Sequence, residues 1–207
     1  MIAIIDYGLG NLGSIKNMLK IIGKKSVITN DIDVIKKSEK IILPGVGSFD
    51  EGIYQLEKRN LIETIKKEAN NGKPILGICL GMQLLGIDSE EGNSKGLNLI
   101  PFHNVRFNFK DKQDSIYNLK IPHMGWNEVE FKRETFVNVD IKDKQRYYFV
   151  HSYHAICIDS NDILMTCNYG YDFVAAVQRG NIIGVQFHPE KSHDFGMKIL
   201  KNFSWGK

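Results

Sequence analysis

Residues 76–85 read LGICLGMQLL, and they join a short apolar strand to a helix through Gly77-Ile78-Cys79-Leu80-Gly81. The G-x-C-x-G spacing is the cysteine form of a nucleophile elbow, in which glycines make room for a sharp strand-to-helix turn. The turn presents Cys79 at the carboxyl edge of a sheet, where a helix N-terminus favours the thiolate. The stretch therefore predicts an α/β fold with a reactive cysteine. A buried structural cysteine is the alternative.

Apolar strands alternate with amphipathic helices in the first half of the chain. The predicted strands are 2–5, 40–43 and 74–78. Apolar residues recur at helical spacing in two segments. One predicted helix has an apolar face of Ile15, Met18, Leu19 and Ile22, and the other has a face of Leu61, Ile65 and Ala69. Ser14 is the predicted N-cap of the first helix, and Gly23 and Gly72 are the predicted helix stops. Such alternation predicts an open, mostly parallel sheet flanked by helices.

The second half of the chain consists mainly of strand-like segments with short links. The predicted strands are 102–109, 126–131, 146–150, 163–168, 173–178 and 182–187. A last helix is predicted over residues 194–204. These segments predict an antiparallel extension of the parallel sheet, and the whole chain, 1–207, is expected to form one domain.

Composition excludes several classes of protein. The 207 residues are 43% hydrophobic and 25% charged, with a net charge of +3, which is ordinary for a globular protein. There is no basic block that would indicate nucleic acid and no apolar run long enough for a membrane span, and we expect no signal peptide. Three cysteines without CxxC spacing argue against a disulfide framework or a zinc site, and they suit the cytoplasm.

A base for the cysteine is offered by VQFHPEKS, residues 185–192. His188 and Glu190 lie two residues apart at the end of a predicted strand, so both side chains point to the same side. Pro189 restricts His188 to extended conformations, and a carboxylate in this position would hold the imidazole in one tautomer. An ordinary surface pair is the alternative. A metal site is weaker, because a third ligand is missing.

An oxyanion hole is offered by LPGVGSF, residues 43–49, which follows another buried strand. Glycine-rich backbone at Gly45 and Gly47 can aim N–H groups at a developing negative charge. Together with the N–H of Leu80, directly after the nucleophile, this makes a two-donor site. A plain turn is the alternative.

DYGLGNLGSI, residues 6–15, contains a competing motif, the G-x-G-x-x-G of dinucleotide-binding proteins. Its glycines are Gly8, Gly10 and Gly13, and the acidic Asp31 and Asp33 lie about 20 residues further on. However, Asp6 and Tyr7 separate the strand from the first glycine, where the fingerprint runs directly into it. An NAD- or flavin-dependent oxidoreductase is therefore disfavoured, as is a non-catalytic flavodoxin-like module, because neither explains the cysteine, histidine and glutamate.

Taken together, the motifs DYGLGN, LPGVGSF, GICLGMQLL, PHMGWN, YFVHSY, NYG and VQFHPEKS resemble the class I (triad) glutamine amidotransferases. Within that class, the chain is similar to the glutaminase subunits of imidazole glycerol phosphate synthase. The resemblance implies a flavodoxin-like sheet with an antiparallel extension and hydrolysis of L-glutamine to glutamate and ammonia through a covalent thioester. It implies no cofactor and no metal.

The resemblance also assigns residues. Cys79 is the implied nucleophile, His188 the general base and then acid, and Glu190 its orienting partner, while Gly47 and Leu80 belong to the oxyanion hole. The implied glutamine-binding residues are Gly45, Gln83, Tyr148, His151, Ser152 and Tyr153. The implied partner is a (β/α)₈-barrel cyclase subunit that receives the ammonia in a heterodimer, and the interface residues are Asn11, Met124, Trp126 and Lys191.

Two alternatives stay open within this resemblance. Paralogues of the same family are thought to supply ammonia to sugar amidotransferases of surface-glycan pathways, and His154 is a position that varies in the family. A γ-glutamyl or cysteine hydrolase on the same scaffold is the other alternative. The motifs of the glutaminase alone barely separate the histidine-pathway subunits from the paralogues.

Overall fold

The computed structural model describes residues 1–109, 119–141 and 144–206. Within them, twelve strands belong to one sheet, which six α-helices flank. The strands are β1 (Ile2–Ile5), β2 (Ser26–Thr29), β3 (Lys40–Leu43), β4 (Ile75–Ile78), β5 (Asp88–Ser89), β6 (Phe102–Arg106), β7 (His123–Phe131), β8 (Gln145–His151), β9 (Tyr153–Cys157), β10 (Ile163–Asn168), β11 (Asp172–Arg179) and β12 (Ile182–Val185). The helices are α1 (Leu12–Ile21), α2 (Ile32–Lys37), α3 (Phe49–Lys58), α4 (Ile62–Asn70), α5 (Leu80–Leu84) and α6 (His193–Trp205).

The parallel half of the sheet has the strand order β2-β1-β3-β4-β12. Every residue of β1, β3, β4 and β12 is buried. Alternate side chains face opposite layers, as the pleat requires. Ile2 and Ile4 pack into the core that includes α1 and α6, whereas Ala3 and Ile5 pack into the core that includes α2, α3 and α4. The predicted two-faced, mostly parallel sheet is confirmed.

The antiparallel half continues from β12 through β11, β10 and β7 to β8. A branch formed by β9, β6 and β5 leaves the path at β11. The predicted antiparallel extension is therefore confirmed. None of the helices in the described ranges is both long and apolar enough to cross a membrane.

Several element boundaries differ from the prediction. Helix α1 begins at Leu12 and follows Asn11, so the assignment of Ser14 as its N-cap is wrong. Helix α3 was missed because Gly52 interrupts its helical pattern. A side chain at Gly52 would begin 3.1 Å from the methyl groups of Leu84, so the glycine allows α3 to approach α5 closely. Strand β2, which is only half-buried, strand β5, which has two residues, and strand β9 were also missed.

Candidate active site

The elbow around Cys79 has the geometry that its glycines predict. Cys79 lies between β4 and α5 with a φ of +54°, a backbone conformation that costs free energy in any residue with a side chain. A Cβ atom at Gly77 would lie 2.6 Å from the carbonyl oxygen of Gly81, and one at Gly81 would overlap the carbonyl oxygen of Leu43. Both glycines are therefore sterically required.

The sheet register brings Cys79 close to the HPE segment. Strands β4 and β12 are parallel neighbours in which Ile78 pairs with Val185, and the N–H of Cys79 donates to the carbonyl oxygen of Val185 at 2.8 Å. His188 follows three residues later, so both side chains emerge at the carboxyl edge of adjacent strands. The Nδ1 of His188 lies 2.8 Å from Oε1 of Glu190.

His188 and Glu190 are both buried, with side chains 1% and 2% exposed. The backbone holds the histidine in place, because its N–H donates to the carbonyl oxygen of Tyr148 at 2.9 Å and its carbonyl oxygen accepts from Ser192 Oγ at 2.6 Å. Burial acts to lower the pKa of His188, but Cys79 and Glu190 outweigh it and raise that pKa to about 10. The imidazole is therefore charged at neutral pH.

His188 and Glu190 each have one polar side-chain atom that takes no part in the contact between them. Among the described residues, Nε2 of His188 and Oε2 of Glu190 have no hydrogen-bond partner. With Nδ1 facing Glu190, Nε2 is the atom of the ring that can carry a proton to or from a reacting group. The arrangement suits a nucleophile, an acid–base group and an orienting carboxylate.

The glycine-rich loop that follows β3 lies beside the elbow. A Cβ atom at Gly45 would lie 2.5 Å from the hydroxyl of Tyr7 and 2.8 Å from Cβ of Leu80, so this glycine packs directly against the start of α5. Gly47 has a φ of +117°, and Gly47 and Leu80 both line the cavity at Cys79. Leu80 is the first residue of α5, so its N–H has no partner within the helix.

The cavity next to Cys79 has a volume of about 90 Å³. Its lining residues are Val46, Gly47, Cys79, Leu80, Gln83, Glu91, Val150, His151, Ser152, Tyr153 and His188. Four of the six predicted glutamine-binding residues are among them. Gly45 instead packs against Tyr7 and Leu80, and the ring of Tyr148 lies near Trp126 and Lys191. Both therefore fall outside the lining.

Sequence reasoning missed Glu91, which is the only carboxylate besides Glu190 that we find close to the described site. Oε2 of Glu91 accepts a hydrogen bond of 2.8 Å from the N–H of Phe49. Asp50 fixes the same loop, because its carboxylate accepts from the N–H groups of Asn93 and Ser94. No local motif marks Glu91, since its position depends on contacts with a segment about 42 residues away.

A chain of amides leads to the sulfur atom. Nε2 of Gln83 donates to the carbonyl oxygen of Tyr153 at 3.3 Å and to Oε1 of Gln186 at 3.1 Å. Nε2 of Gln186, in turn, donates to Sγ of Cys79 at 3.7 Å. Gln186 is fully buried and was also missed, although it lies inside the VQFHPEKS segment.

A cluster of buried histidines borders the cavity. His151 donates from Nδ1 to the carbonyl oxygen of Tyr153 at 2.8 Å, and its Nε2 lies 3.0 Å from Nδ1 of His123. Burial lowers the pKa of His151 to about 3 and that of His123 to about 4, so both rings are neutral. His154 is also buried and lies 2.8 Å from the hydroxyl of Tyr171, and burial lowers its pKa too.

The predicted interface residues lie near one another at the carboxyl edge. Met124 and Trp126 point to the same side of β7 and are 62% and 38% exposed. Trp126 stacks on His193 with ring centroids 5.5 Å apart, and Nζ of Lys191 lies 5.7 Å from the ring of Tyr148. Asn11 precedes α1, which packs against the 3₁₀ turn Pro189–Lys191, and its side chain makes no capping hydrogen bond.

The dinucleotide interpretation of residues 6–15 is wrong. Gly13 lies inside α1 with no atom within 4 Å of its would-be Cβ, so it provides no close approach. Oδ1 of Asp31 accepts from the N–H groups of Asp33 and Val34, which makes it the N-cap of α2 rather than a ribose ligand. Within the described ranges, no group of three metal-ligating side chains was found.

Comparisons with known proteins identify the family of the chain. The profile of the family "Glutamine amidotransferase class-I" matches residues 3–206. The chain is 52% identical over 204 residues to "Imidazole glycerol phosphate synthase subunit HisH 2" of Methanococcus maripaludis and 47% identical to the protein of the same name from Pseudomonas aeruginosa, covering 98% of both chains in each case. It is 48% identical to "Imidazole glycerol phosphate synthase subunit HisH" of Sulfurimonas denitrificans, covering 99% of this chain and 97% of the relative.

Solved structures agree on the fold. The structure of PurLQS from Thermotoga maritima superposes with a TM-score of 0.72 at 21% identity, covering 98% of this chain and 96% of the other. A crystal structure described as a glutamine amidotransferase superposes with a TM-score of 0.72 at 14% identity, covering 97% and 98%. The chain belongs to the class I glutamine amidotransferase family.

Proposed function

We propose that this chain, working as one domain, hydrolyses L-glutamine to glutamate and ammonia with Cys79 as the nucleophile. The observation that carries the proposal is the buried pair of His188 and Glu190, 2.8 Å apart, beside a cysteine on a strained strand-to-helix elbow. A strained, glycine-flanked cysteine next to an oriented imidazole is the arrangement required for attack on an amide carbon.

In the proposed reaction, the Cys79 thiolate attacks the carbon of the glutamine side-chain amide, and a C–S bond forms. The backbone N–H groups of Gly47 and Leu80 stabilise the oxyanion. Nε2 of His188 gives its proton to the amide nitrogen, the C–N bond breaks, and ammonia leaves. Water then gives a proton back to His188 and attacks the thioester. The C–S bond breaks, which returns the thiolate and releases glutamate. We expect no cofactor.

The substrate requires more room than the cavity offers. A volume of about 90 Å³ corresponds to roughly three water molecules, which is enough for the reacting amide but not for a whole amino acid. We infer that the loop at Val46 and Gly47 moves when glutamine binds. We further infer that Glu91 holds the substrate's α-ammonium group, because it is the acidic group in the lining that is separate from His188.

The ammonia needs an acceptor. The relatives described above are named as subunits of imidazole glycerol phosphate synthase, so we infer that this chain also works with a synthase subunit, a (β/α)₈-barrel cyclase, in the cytoplasm. Met124 pairs with Val150 across β7 and β8, and cross-strand neighbours point to the same side of a sheet. Since Val150 lines the cavity, the exposed Met124 borders the route by which ammonia would leave.

A second acceptor is favoured by one observation. The relatives from Methanococcus maripaludis and Pseudomonas aeruginosa both carry the number 2 after the subunit name, and the first of them is 52% identical to this chain. We infer from this number that these organisms have more than one such subunit, so that one copy can serve a different acceptor. The alternative proposal is therefore a paralogous glutaminase that feeds ammonia to a sugar amidotransferase.

The glutaminase proposal is tested with Cys79→Ala and the matched variant Cys157→Ala, each measured for glutamate release with the synthase subunit present. We expect Cys79→Ala to abolish glutamate release while its circular dichroism is unchanged, because no other group replaces the thiolate. Cys157→Ala should keep the wild-type rate. Glutamine hydrolysis by Cys79→Ala would refute the proposal. Activity confined to γ-glutamyl peptides would favour the hydrolase alternative.

The interface proposal is tested by titrating the barrel subunit against Trp126→Ala and against Trp205→Ala. Trp205 is also exposed, at 58%, but lies at the end of α6 beside Lys24. Loss of a central aromatic residue typically weakens an interface about tenfold or more, so we expect this for Trp126→Ala and no change for Trp205→Ala. Equal affinities of the two variants for the barrel subunit would show that the face around Trp126 is not the interface. Transfer of amide ¹⁵N from glutamine to an imidazole or to an amino sugar distinguishes the two acceptors.

A further inference from the structure

The sulfur atom of Cys79 has a hydrogen-bond donor that is not part of the triad. Nε2 of Gln186 lies 3.7 Å from Sγ, which is within range for an N–H donor and sulfur. Gln186 is fully buried, and its backbone N–H is fixed by a 2.8 Å hydrogen bond to the carbonyl oxygen of Ala175. The side chain therefore has little freedom to turn away from the sulfur.

The orientation of the Gln186 amide follows from its neighbours. Nε2 of Gln83 donates to the carbonyl oxygen of Tyr153, which accepts only, so this end of Gln83 must be its NH₂ group. The same NH₂ group faces Gln186 at 3.1 Å, so the facing atom must be the acceptor Oε1. The NH₂ group of Gln186 is then left to face Cys79. A flipped amide would place two donors together and turn an oxygen toward the thiolate.

An N–H group that faces sulfur stabilises the charged form more than the neutral form. Hydrogen bonds to ionised acceptors are roughly twice as strong as those between neutral groups, and the site is shielded from water. In a cavity where Cys79 is only 7% exposed, water cannot replace this donor readily. The positive charge of His188 also stabilises the thiolate, but it acts through a different side chain from the Gln186 amide.

We propose that Gln186 is a catalytic residue that stabilises the Cys79 thiolate by hydrogen bonding, and that Gln83 is a positioning residue that sets the orientation of the Gln186 amide. The role in turnover rests on the proposed glutaminase function, whereas the stabilisation of the thiolate does not. Gln83, which the family resemblance assigns to glutamine binding, thereby gains a second role, because its NH₂ group donates to Tyr153 and Gln186.

The test is the pH dependence of Cys79 alkylation by iodoacetamide, followed on the Cys79 peptide by mass spectrometry. Gln186→Met keeps the length of the side chain and removes the donor. Loss of one hydrogen bond to a charged group should move the midpoint upward by about half to one pH unit, and slow alkylation below the midpoint by roughly three- to tenfold. Gln83→Met should move the midpoint in the same direction by less.

The matched control is Gln178→Met. Gln178 is also buried, at 8% exposed, but it pairs with Ile183 nearer the other end of β12, away from Cys79. Its midpoint should equal that of the wild type. Wild-type midpoints in folded Gln186→Met would overturn the proposal. If Gln186→Met does not fold, the alkylation midpoint of Gln83→Met tests the proposal instead. A raised midpoint would support the proposal, and an unchanged midpoint would overturn it. Alkylation requires no glutamine, so a failure of the glutaminase proposal is seen separately.

Discussion

The hydroxyl of Tyr7 donates a hydrogen bond of 2.6 Å to the carbonyl oxygen of Pro44. This contact joins the turn after β1 to the glycine-rich loop that follows β3, next to the elbow of Cys79. Burial, together with the nearby charge of Cys79, raises the pKa of Tyr7 far above its usual range, so the phenol remains a donor at any working pH. The segment DYGLGN thus braces the loop proposed to hold the oxyanion.

Removal of this brace should slow catalysis. In Tyr7→Phe the ring remains while the carbonyl oxygen of Pro44 loses a buried partner, which costs about 1 kcal/mol. We expect kcat for glutamine hydrolysis to fall roughly three- to tenfold with little change in KM, because the loop acts on the transition state. Steady-state kinetics of glutamate release in the presence of the synthase subunit provide the measurement.

Tyr147→Phe is the matched control for that experiment. Tyr147 is as fully buried as Tyr7, but its hydroxyl has no hydrogen-bond partner among the described residues. Its removal should leave kcat unchanged and leave the urea midpoint of unfolding the same or higher. A fall in kcat that is equal in both variants would show that Tyr7 acts through packing alone.

The sequence predicted those parts of the site that depend on local geometry. The spacing of Gly77, Cys79 and Gly81 determines a sharp turn, and the structure shows that both glycines are sterically required. His188 and Glu190 do meet as predicted, but not through the extended backbone that the prediction assumed, because the strand ends at Val185 and Glu190 lies in the 3₁₀ turn Pro189–Lys191. The roles of these residues in catalysis remain predictions, whereas their convergence at one sheet edge is a structural finding.

Contacts between distant segments could not be predicted. Tyr7 was interpreted only as an interruption of a glycine fingerprint, because its partner Pro44 lies 37 residues away. Glu91 lies in an ordinary polar loop, and only the hydrogen bond to Phe49 brings it to the site. Strand β2 lacks the apolar alternation that marks a buried strand, since all four of its residues are half-buried. In each of these cases, contacts between residues that are distant in sequence determine the local structure.

The charge on His188 should depend on Cys79. The folded-state pKa, about 10, lies above the unfolded value of about 6.5, so the stability that His188 contributes is complete below pH 6.5 and is lost as pH rises toward 10. In Cys79→Ala, we expect the midpoint of His188 to fall by roughly one to three pH units, the usual effect of a neighbouring opposite charge. Proton–carbon NMR of ¹³C-labelled histidine measures it, with Cys157→Ala as the control. An unchanged midpoint would mean that Cys79 carries no charge beside His188.

Neutral His123 should make the fold sensitive to acid. Its ring stacks between Phe149 at 4.8 Å and Tyr169 at 4.1 Å, and burial lowers its pKa to about 4. A histidine pKa that falls on folding contributes stability above pH 6.5, and this stability is lost as pH decreases toward 4. We expect His123→Gln to be less stable than wild type at pH 8 but to lose less stability between pH 7 and pH 5. Urea unfolding at each pH measures the difference, and parallel curves would contradict it.

The glycines of residues 6–15 should respond differently to substitution, because they play different structural roles. Gly13→Ala places a methyl group in open space near the start of α1, so the free energy of unfolding should rise by about 0.5–1 kcal/mol. Gly10 has a φ of +111°, and a Cβ atom there would lie 3.1 Å from Cβ of Pro44, so Gly10→Ala should cost more than about 1 kcal/mol. Urea unfolding of both variants tests the pair. If Gly13→Ala is instead less stable than the wild type, Gly13 makes the close helix–strand contact that the third glycine of a dinucleotide fingerprint makes.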